Sequence, residues 1–254
     1  MKTLVTMGRG GTGKTSFVAM MTKYFVEKGS TPILLVDVDP DQNLAEMVGV
    51  DLEREGVNTI AELVTDTFIN NGGTSVGIPP KERIEAKIFE RGIYEGDAFD
   101  LITVGTKWIE GCYCLPDAAL KGALQSLTKN YKYILIDSPA GLEHLNRKIT
   151  DQVNDIFDVM GPSNKSFENV KRAYKITQEI NIGFDHFYTV GGCLFPKELE
   201  SVAEEKTGRE FLGKIEFDPQ VQEAVIAGRS LLEIPEDSAA YVSVKRLIGN
   251  GGYE

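Results

Sequence analysis

No stretch of about 18 consecutive apolar residues occurs anywhere in the chain, and without one no segment can cross a bilayer as a helix. No secretory leader opens it either, so the sequence predicts a soluble, cytoplasmic protein. Basic residues are the minority: 27 Lys and Arg stand against 38 Asp and Glu, a formal charge of −11. They are scattered and nowhere form a run. A nucleic-acid backbone needs clustered cations to release its counterions, so nucleic acid is not an expected partner. An anionic membrane is disfavoured on the same ground, and VKRLIGNGGYE, Val244–Glu254, is too short and glycine-broken for an amphipathic anchor.

Cysteine is scarce and odd in number, three in all, which excludes a disulfide framework. Histidine is scarcer, His144 and His186, and Trp108 is the single tryptophan, expected to serve packing. No Pro/Ser-rich linker, low-complexity block or internal repeat divides the chain. With 254 residues, 42% of them apolar, it can bury one full core, and a single domain over 1–254 is expected. NNGGTSVGIPP, Asn70–Pro80, is the one loop-like interruption, and a flexible insertion or lid is expected around 70–95.

What is present is a repeated alternation. The first strand is Lys2–Met7, followed by a glycine loop and a helix to about Lys28, with Phe17, Met20, Met21, Tyr24 and Phe25 at helical spacing. Pro32–Asp37 is a continuous apolar run, as a strand buried on both faces requires. Further strands are expected at Phe99–Val104, Tyr133–Asp137, Ile156–Met160 and Phe187–Val190, and helices at Asp117–Thr128, Phe167–Ile180, Val221–Ala227 and Ser238–Ile248. The fold class is therefore α/β: a mostly parallel central sheet with helices on both faces. Chemistry in such sheets sits beyond the carboxyl ends of the strands.

The first strand runs into GRGGTGKTS, Gly8–Ser16. Gly8, Gly13, Lys14 and Thr15 satisfy G-x-x-x-x-G-K-[ST], a loop whose backbone N–H groups curl around phosphate oxygens at a helix N-terminus. Lys14 is expected on the β- and γ-phosphates and the Thr15 hydroxyl on Mg²⁺. This is a nucleotide site, with Gly8, Arg9, Gly10, Gly11, Thr12, Gly13, Lys14, Thr15 and Ser16 as its loop.

The extra glycines make GRGGTGKTS resemble the deviant Walker A loop of the MinD/ParA/nitrogenase-iron-protein class of ATPases, whose pattern is K-G-G-x-G-K-[ST]. The early lysine of that class reaches across a dimer interface to the partner's nucleotide. Here Arg9 holds the position, and the resemblance implies that its guanidinium acts like an arginine finger. DVDPDQN after the second strand is similar to switch I. It implies that Asp39 orients or deprotonates the attacking water and that Asp37 supports the Mg²⁺ shell. YILIDSPAG, Tyr133–Gly141, resembles Walker B running into switch II. Asp137 would hold Mg²⁺, and the Gly141 N–H would sense the γ-phosphate. Asp218-Pro219 resembles the late segment beside the adenine. The N-[KR] base-reading motif of the class is missing, and VGGCLFP, Val190–Pro196, stands in its place.

The stretch GCYC, Gly111–Cys114, lies between a predicted strand and a predicted helix. A thiol near a helix N-terminus has a lowered pKa, and soft thiolates suit Zn²⁺, Cu⁺, Ni²⁺ or Fe–S clusters. Two thiolates leave a divalent ion about two ligands short of tetrahedral closure. Cys193, expected in the core, and the two histidines are the remaining candidates; His144 is expected to be a hydrogen-bonded switch residue. The class resemblance implies face-to-face dimers, in which a two-fold axis turns Cys112 and Cys114 into four thiolates.

GCYC together with DSPAGLEHLNR resembles the narrower CooC/AcsF group, ATPases that mature nickel enzymes. The resemblance implies an ATP-hydrolysing, dimerising metallochaperone that inserts Ni²⁺ (or Zn²⁺ at the same thiolates) into carbon monoxide dehydrogenase or acetyl-CoA synthase. An Fe–S reductase of nitrogenase-iron-protein type and a MinD/ParA-like partitioning ATPase are the alternatives. The missing basic patch speaks against the latter.

Overall fold

The computed structural model describes residues 1–67, 80–106, 114–127, 130–139 and 153–253. Among the described residues eight strands make one sheet: β1 (Lys2–Gly8), β2 (Ile33–Asp37), β3 (Tyr94–Glu95), β4 (Asp100–Thr103), β5 (Tyr133–Asp137), β6 (Asp155–Met160), β7 (His186–Gly191) and β8 (Phe211–Lys214). Their order is β3-β4-β2-β5-β1-β6-β7-β8. Every pairing is parallel except β3 with β4 at one edge. The helices are α1 (Lys14–Glu27), α2 (Asn43–Met47), α3 (Ile60–Thr65), α4 (Pro80–Arg91), α5 (Cys114–Leu127), α6 (Lys165–Glu179), α7 (Glu200–Thr207), α8 (Pro219–Ile226) and α9 (Ala239–Asn250). The α/β class read from the sequence is the fold observed.

The continuous apolar runs are explained by two cores, one on each side of the sheet. Ile33 and Leu35 of β2 and Tyr133 and Leu135 of β5 enter one, with α1 and α9 above them. Leu34 and Val36, and Ile134 and Ile136, enter the other beneath α3, α4, α5 and α6. Successive side chains on a strand face opposite ways, so a strand buried on both faces needs an apolar residue at every position.

Six elements escaped the sequence reading, among them α2 and α3, which are only five and six residues long. β3 is two residues long, and β8 is four residues long with Gly213 at φ 121° and a register shift in its pairing with β7. α7 buries only Ala203 and Thr207. α4 falls where an insertion was expected, because its charged sequence PKERIEAKIFER places just Ile84 and Ile88, one turn apart, in the core. The Asn70–Pro79 part of that expected loop lies outside the described residues.

At the amino ends of the strands the chain closes on itself. The Tyr253 ring sits beside Phe25, with centroids 6.0 Å apart. The Tyr24 hydroxyl donates to the Tyr253 carbonyl at 3.1 Å. The Tyr253 hydroxyl donates to the buried Asp155 carboxylate, whose other oxygen meets His186 Nδ1 at 2.8 Å. His186 is thereby engaged far from the strand carboxyl ends.

Candidate functional site

The loop between β1 and α1 is shaped by glycine. Gly8 has φ 139°, and a Cβ there would lie 2.4 Å from the Val159 carbonyl oxygen of β6. Gly11 (φ 75°) and Gly13 (φ 92°) are left-handed, and side-chain carbons on them would meet no atom within 4 Å. The loop thus turns around open space. Gly13 caps α1 with no side-chain hydrogen bond, and no acid stands in the first turn. The first N–H groups of a helix lack intrahelical partners and carry partial positive charge, so this end suits phosphate oxygens.

Lys14, 6% exposed, folds back so that its ammonium donates to the Arg9 carbonyl at 3.3 Å, and the Thr12 hydroxyl donates to the same oxygen at 2.9 Å. Arg9 and Gly10 are exposed on the outer rim, and Ser16 meets Met47 Sδ at 3.7 Å.

Parallel register aligns four polar residues across the carboxyl ends of the strands: Thr6 beside Asp137, Asp137 beside Asp37, and Asp37 beside Thr103. All four are buried. Asp37 is satisfied, its Oδ1 accepting from Asp39 N–H at 3.0 Å and its Oδ2 from Leu44 N–H at 3.1 Å. Burial, with Asp137 alongside, raises its pKa well above the carboxylate range. Asp137 is orphaned: neither of its oxygens has a hydrogen-bond partner among the described residues. Burial pushes its pKa up to about 7, although the Thr15 hydroxyl and the Lys14 ammonium nearby draw it down.

A buried, unpaired carboxylate beside a threonine hydroxyl is a hard-oxygen donor set that fits Mg²⁺. Asp39 is half-buried at the head of the next loop, where its Oδ1 accepts from Asp41 N–H at 3.1 Å. The Thr106 hydroxyl pins that loop by donating to the Pro40 carbonyl at 2.6 Å.

A cavity of about 310 Å³ continues from Gly13 and Ser16, walled by Met20, Leu194, Ile215 and Phe217. Cys193 lines it, half-buried; the expectation of a core cysteine is corrected, because the chain leaves β7 here and passes along the cavity rim. Asp218 lines it too, but its side chain is occupied. It accepts from Gln220 N–H at 2.8 Å, from the Ser238 hydroxyl at 2.6 Å and from Ala240 N–H at 3.4 Å, and Pro219 opens α8 behind it. Burial pushes the Asp218 pKa up, yet those hydrogen bonds outweigh it and hold the pKa below the usual range.

Two site residues went unread in the sequence. Gly192 abuts the phosphate loop so closely that a Cβ would lie 2.3 Å from the Thr12 carbonyl oxygen. This is the physical content of VGG where another motif was expected. Asp158, on β6 and 5% exposed, faces a second cavity of about 290 Å³ beside Gly8 and Arg9. Burial raises its pKa to about 7 against the pull of Lys14. The signal for Asp158 was an acid in the middle of an otherwise apolar stretch, IFDVM.

Cys114 is the first residue of α5, three residues before the expected helix start. Cys112, Trp108, Gly141 and His144 lie outside the described residues. Among the described residues no three His, Cys, Asp or Glu side chains gather for a metal ion, and no helix is long and apolar enough to cross a membrane.

Three comparisons bear on this site. The chain is 30% identical over 242 residues to an uncharacterized ATP-binding protein of Methanocaldococcus jannaschii, covering 94% of each chain. It is 26% identical to the carbon monoxide dehydrogenase accessory protein CooC of Rhodospirillum rubrum, covering 92% of this chain and 90% of that one. Its fold is similar to a ParA family ATPase from Chlorobium tepidum TLS, with a TM-score of 0.71, 16% identity and 96% of each chain covered. A family model described as AAA domain matches residues 2–183, a span that holds the phosphate loop and both aspartate-bearing strands. The chain belongs to this AAA domain family, and its fold is similar to that of ParA and MinD proteins.

Proposed function

We propose that the chain is an ATP-hydrolysing, dimerising metallochaperone that delivers nickel to carbon monoxide dehydrogenase or acetyl-CoA synthase. The observation that carries this reading is the placement of C-x-C in a switch ATPase: Cys114 is the first residue of α5, in the connection that leaves β4. Similarity to CooC along nearly the whole chain supports it.

In this reading the Gly8–Ser16 loop binds the triphosphate. Lys14 leaves the Arg9 carbonyl for the β- and γ-phosphates, a move that exchanges one hydrogen bond for charge-assisted ones. Thr15 and Asp137, with Asp37 behind them, would hold Mg²⁺, which neutralises charge on the phosphates when bound. Filling that place relieves the orphaned Asp137 carboxylate. Asp39 orients the attacking water and accepts its proton as ATP and water become ADP and phosphate. Asp37 is the positioning residue for Asp39, since its oxygens hold both the Asp39 N–H and the first turn of α2. Exposed Arg9 reaches the nucleotide of a second copy. Gly141, beyond Asp137, reports the γ-phosphate to the segment that follows.

Dimer closure around nucleotide brings Cys112 and Cys114 of both copies around one Ni²⁺, as four thiolates, and hydrolysis loosens that site so the ion passes to the client. Sedimentation of the protein with and without one equivalent of Ni²⁺, beside a Cys112→Ser/Cys114→Ser variant, tests this. Dimers that need both metal and cysteines, with one ion per two chains, are the expected result. One ion per monomer, or equal dimerisation without the cysteines, would refute the shared site.

A further inference from the structure

The second cavity, between β6 and α6, is built to the opposite plan from the apolar one. Lys165, Asn169 and Arg172 recur at helical spacing on α6 and line it together, and Arg9 meets them from the phosphate loop. The three cations are exposed, and none forms an ion pair among the described residues. α6 starts at Lys165 with no side-chain cap, so its first N–H groups add partial positive charge.

Two polar side chains here lack partners. Asn169 Nδ2 is buried with no hydrogen bond among the described residues. Asp158 is 5% exposed, and no hydrogen bond draws down the pKa that burial has raised to about 7. Its neighbour on β7, Thr189, is occupied, because that hydroxyl donates to the Glu210 carbonyl at 3.1 Å. Buried polar groups are ordinarily paired, so unpaired ones around a cavity mark a place for a ligand. The Lys14 ammonium pulls on both Asp137 and Asp158. It therefore stands between the nucleotide side of the loop and this cavity.

We propose that this cavity is a second oxyanion site, which receives inorganic phosphate once the nucleotide has been cleaved. The proposal rests on the phosphate-loop reading and concerns where the product goes. A tetrahedral ion presents oxygens in four directions, which suits donors spread over α6, β6 and the loop. A planar carboxylate offers two oxygens in one plane and leaves some of those donors unserved. Lys165 and Arg172 supply charge, Asn169 an amide N–H, and protonated Asp158 an O–H. No bond forms or breaks in this step: the ion passes Lys14 and is held apart from ADP.

The test saturates the full chain with ADP and Mg²⁺ and titrates it calorimetrically with inorganic phosphate, at constant ionic strength. One phosphate per chain is expected, displaced by sulfate and not by acetate. Arg172→Gln and Asn169→Leu should each weaken phosphate at least about tenfold, the loss of one hydrogen bond to a charged group, while ADP affinity stays unchanged. Phosphate should also slow steady-state ATP hydrolysis in a way that excess ATP does not relieve, and Arg172→Gln should blunt that inhibition by a similar factor. Absence of phosphate binding, or binding indifferent to both variants, overturns the second site while the phosphate-loop reading stands. Inhibition that is absent, or that ATP relieves, overturns the product role. If ADP fails to bind a chain that melts cooperatively, the phosphate-loop reading itself fails, and the product role falls with it.

Discussion

Replacing Asp158 by Asn should stabilise the nucleotide-free protein, and the gain should depend on pH in a set way. The carboxyl is 5% exposed on β6, and burial raises its pKa from 3.8 to about 7, with Lys14 as the opposing influence. In the unfolded chain the same group loses its proton near 3.8. Between those two values the native state binds more protons than the unfolded one, so this group lowers stability as pH rises and then levels off above about 7. At about 1.4 kcal/mol per pH unit, a gap of about three units amounts to roughly 4 kcal/mol at pH 8.

Asn keeps the shape and removes the ionisation. Relative to wild type, Asp158→Asn should therefore gain roughly 4 kcal/mol at pH 8, roughly 1.5 kcal/mol at pH 5 and almost nothing near pH 4. Urea denaturation of both proteins at four pH values measures the difference. An amide left without a partner in this cavity reduces the absolute gain, and the pH dependence between 5 and 7 is the quantity that tests Asp158. Parallel pH profiles for the two proteins would refute a buried, proton-holding Asp158.

Three further outcomes follow from the site. Asp39→Ala should keep nucleotide binding, measured by fluorescence titration, while slowing phosphate release by about 10² or more, because a positioned proton acceptor contributes about that factor. Gly192→Ala should destabilise the fold by about 1–3 kcal/mol and weaken nucleotide binding, because the new methyl meets the Thr12 carbonyl and moves the phosphate loop; a thermal melt beside a titration checks both. Asp218→Ala should cost about 2–4 kcal/mol, since it strips capping bonds from α8 and α9 together. That contribution should also fade in wild type under acid, as pH falls through the lowered Asp218 pKa.

The sequence announced the parts of this molecule whose chemistry is local. β1, α1 and the loop between them are set by glycine conformation and apolar spacing within some two dozen residues, and Asp37 and Asp137 stand where apolar runs stop. What stayed hidden depends on residues distant in the chain. Gly192 is needed only because Thr12 lies against it. Asp158 reads as an ordinary strand residue until the packing around it removes water. Asp218 was read as part of the base site, yet its carboxylate serves Ser238 and Ala240, some twenty residues onward. α4 and α7 present too few apolar side chains to announce a helix.

The closure at Tyr253 bears on how the chain can be made. Its ring joins Phe25, Tyr133 and Phe157, which come from the opening, middle and later parts of the sequence. During synthesis, the nucleotide loop and the first strands leave the ribosome long before this aromatic knot can be tied. The nascent chain must therefore expose Phe25 and its neighbours, a surface that chaperones recognise, until residue 253 has emerged. Emergence of Tyr253, and not completion of the phosphate loop, sets the moment at which this part of the fold can finish folding.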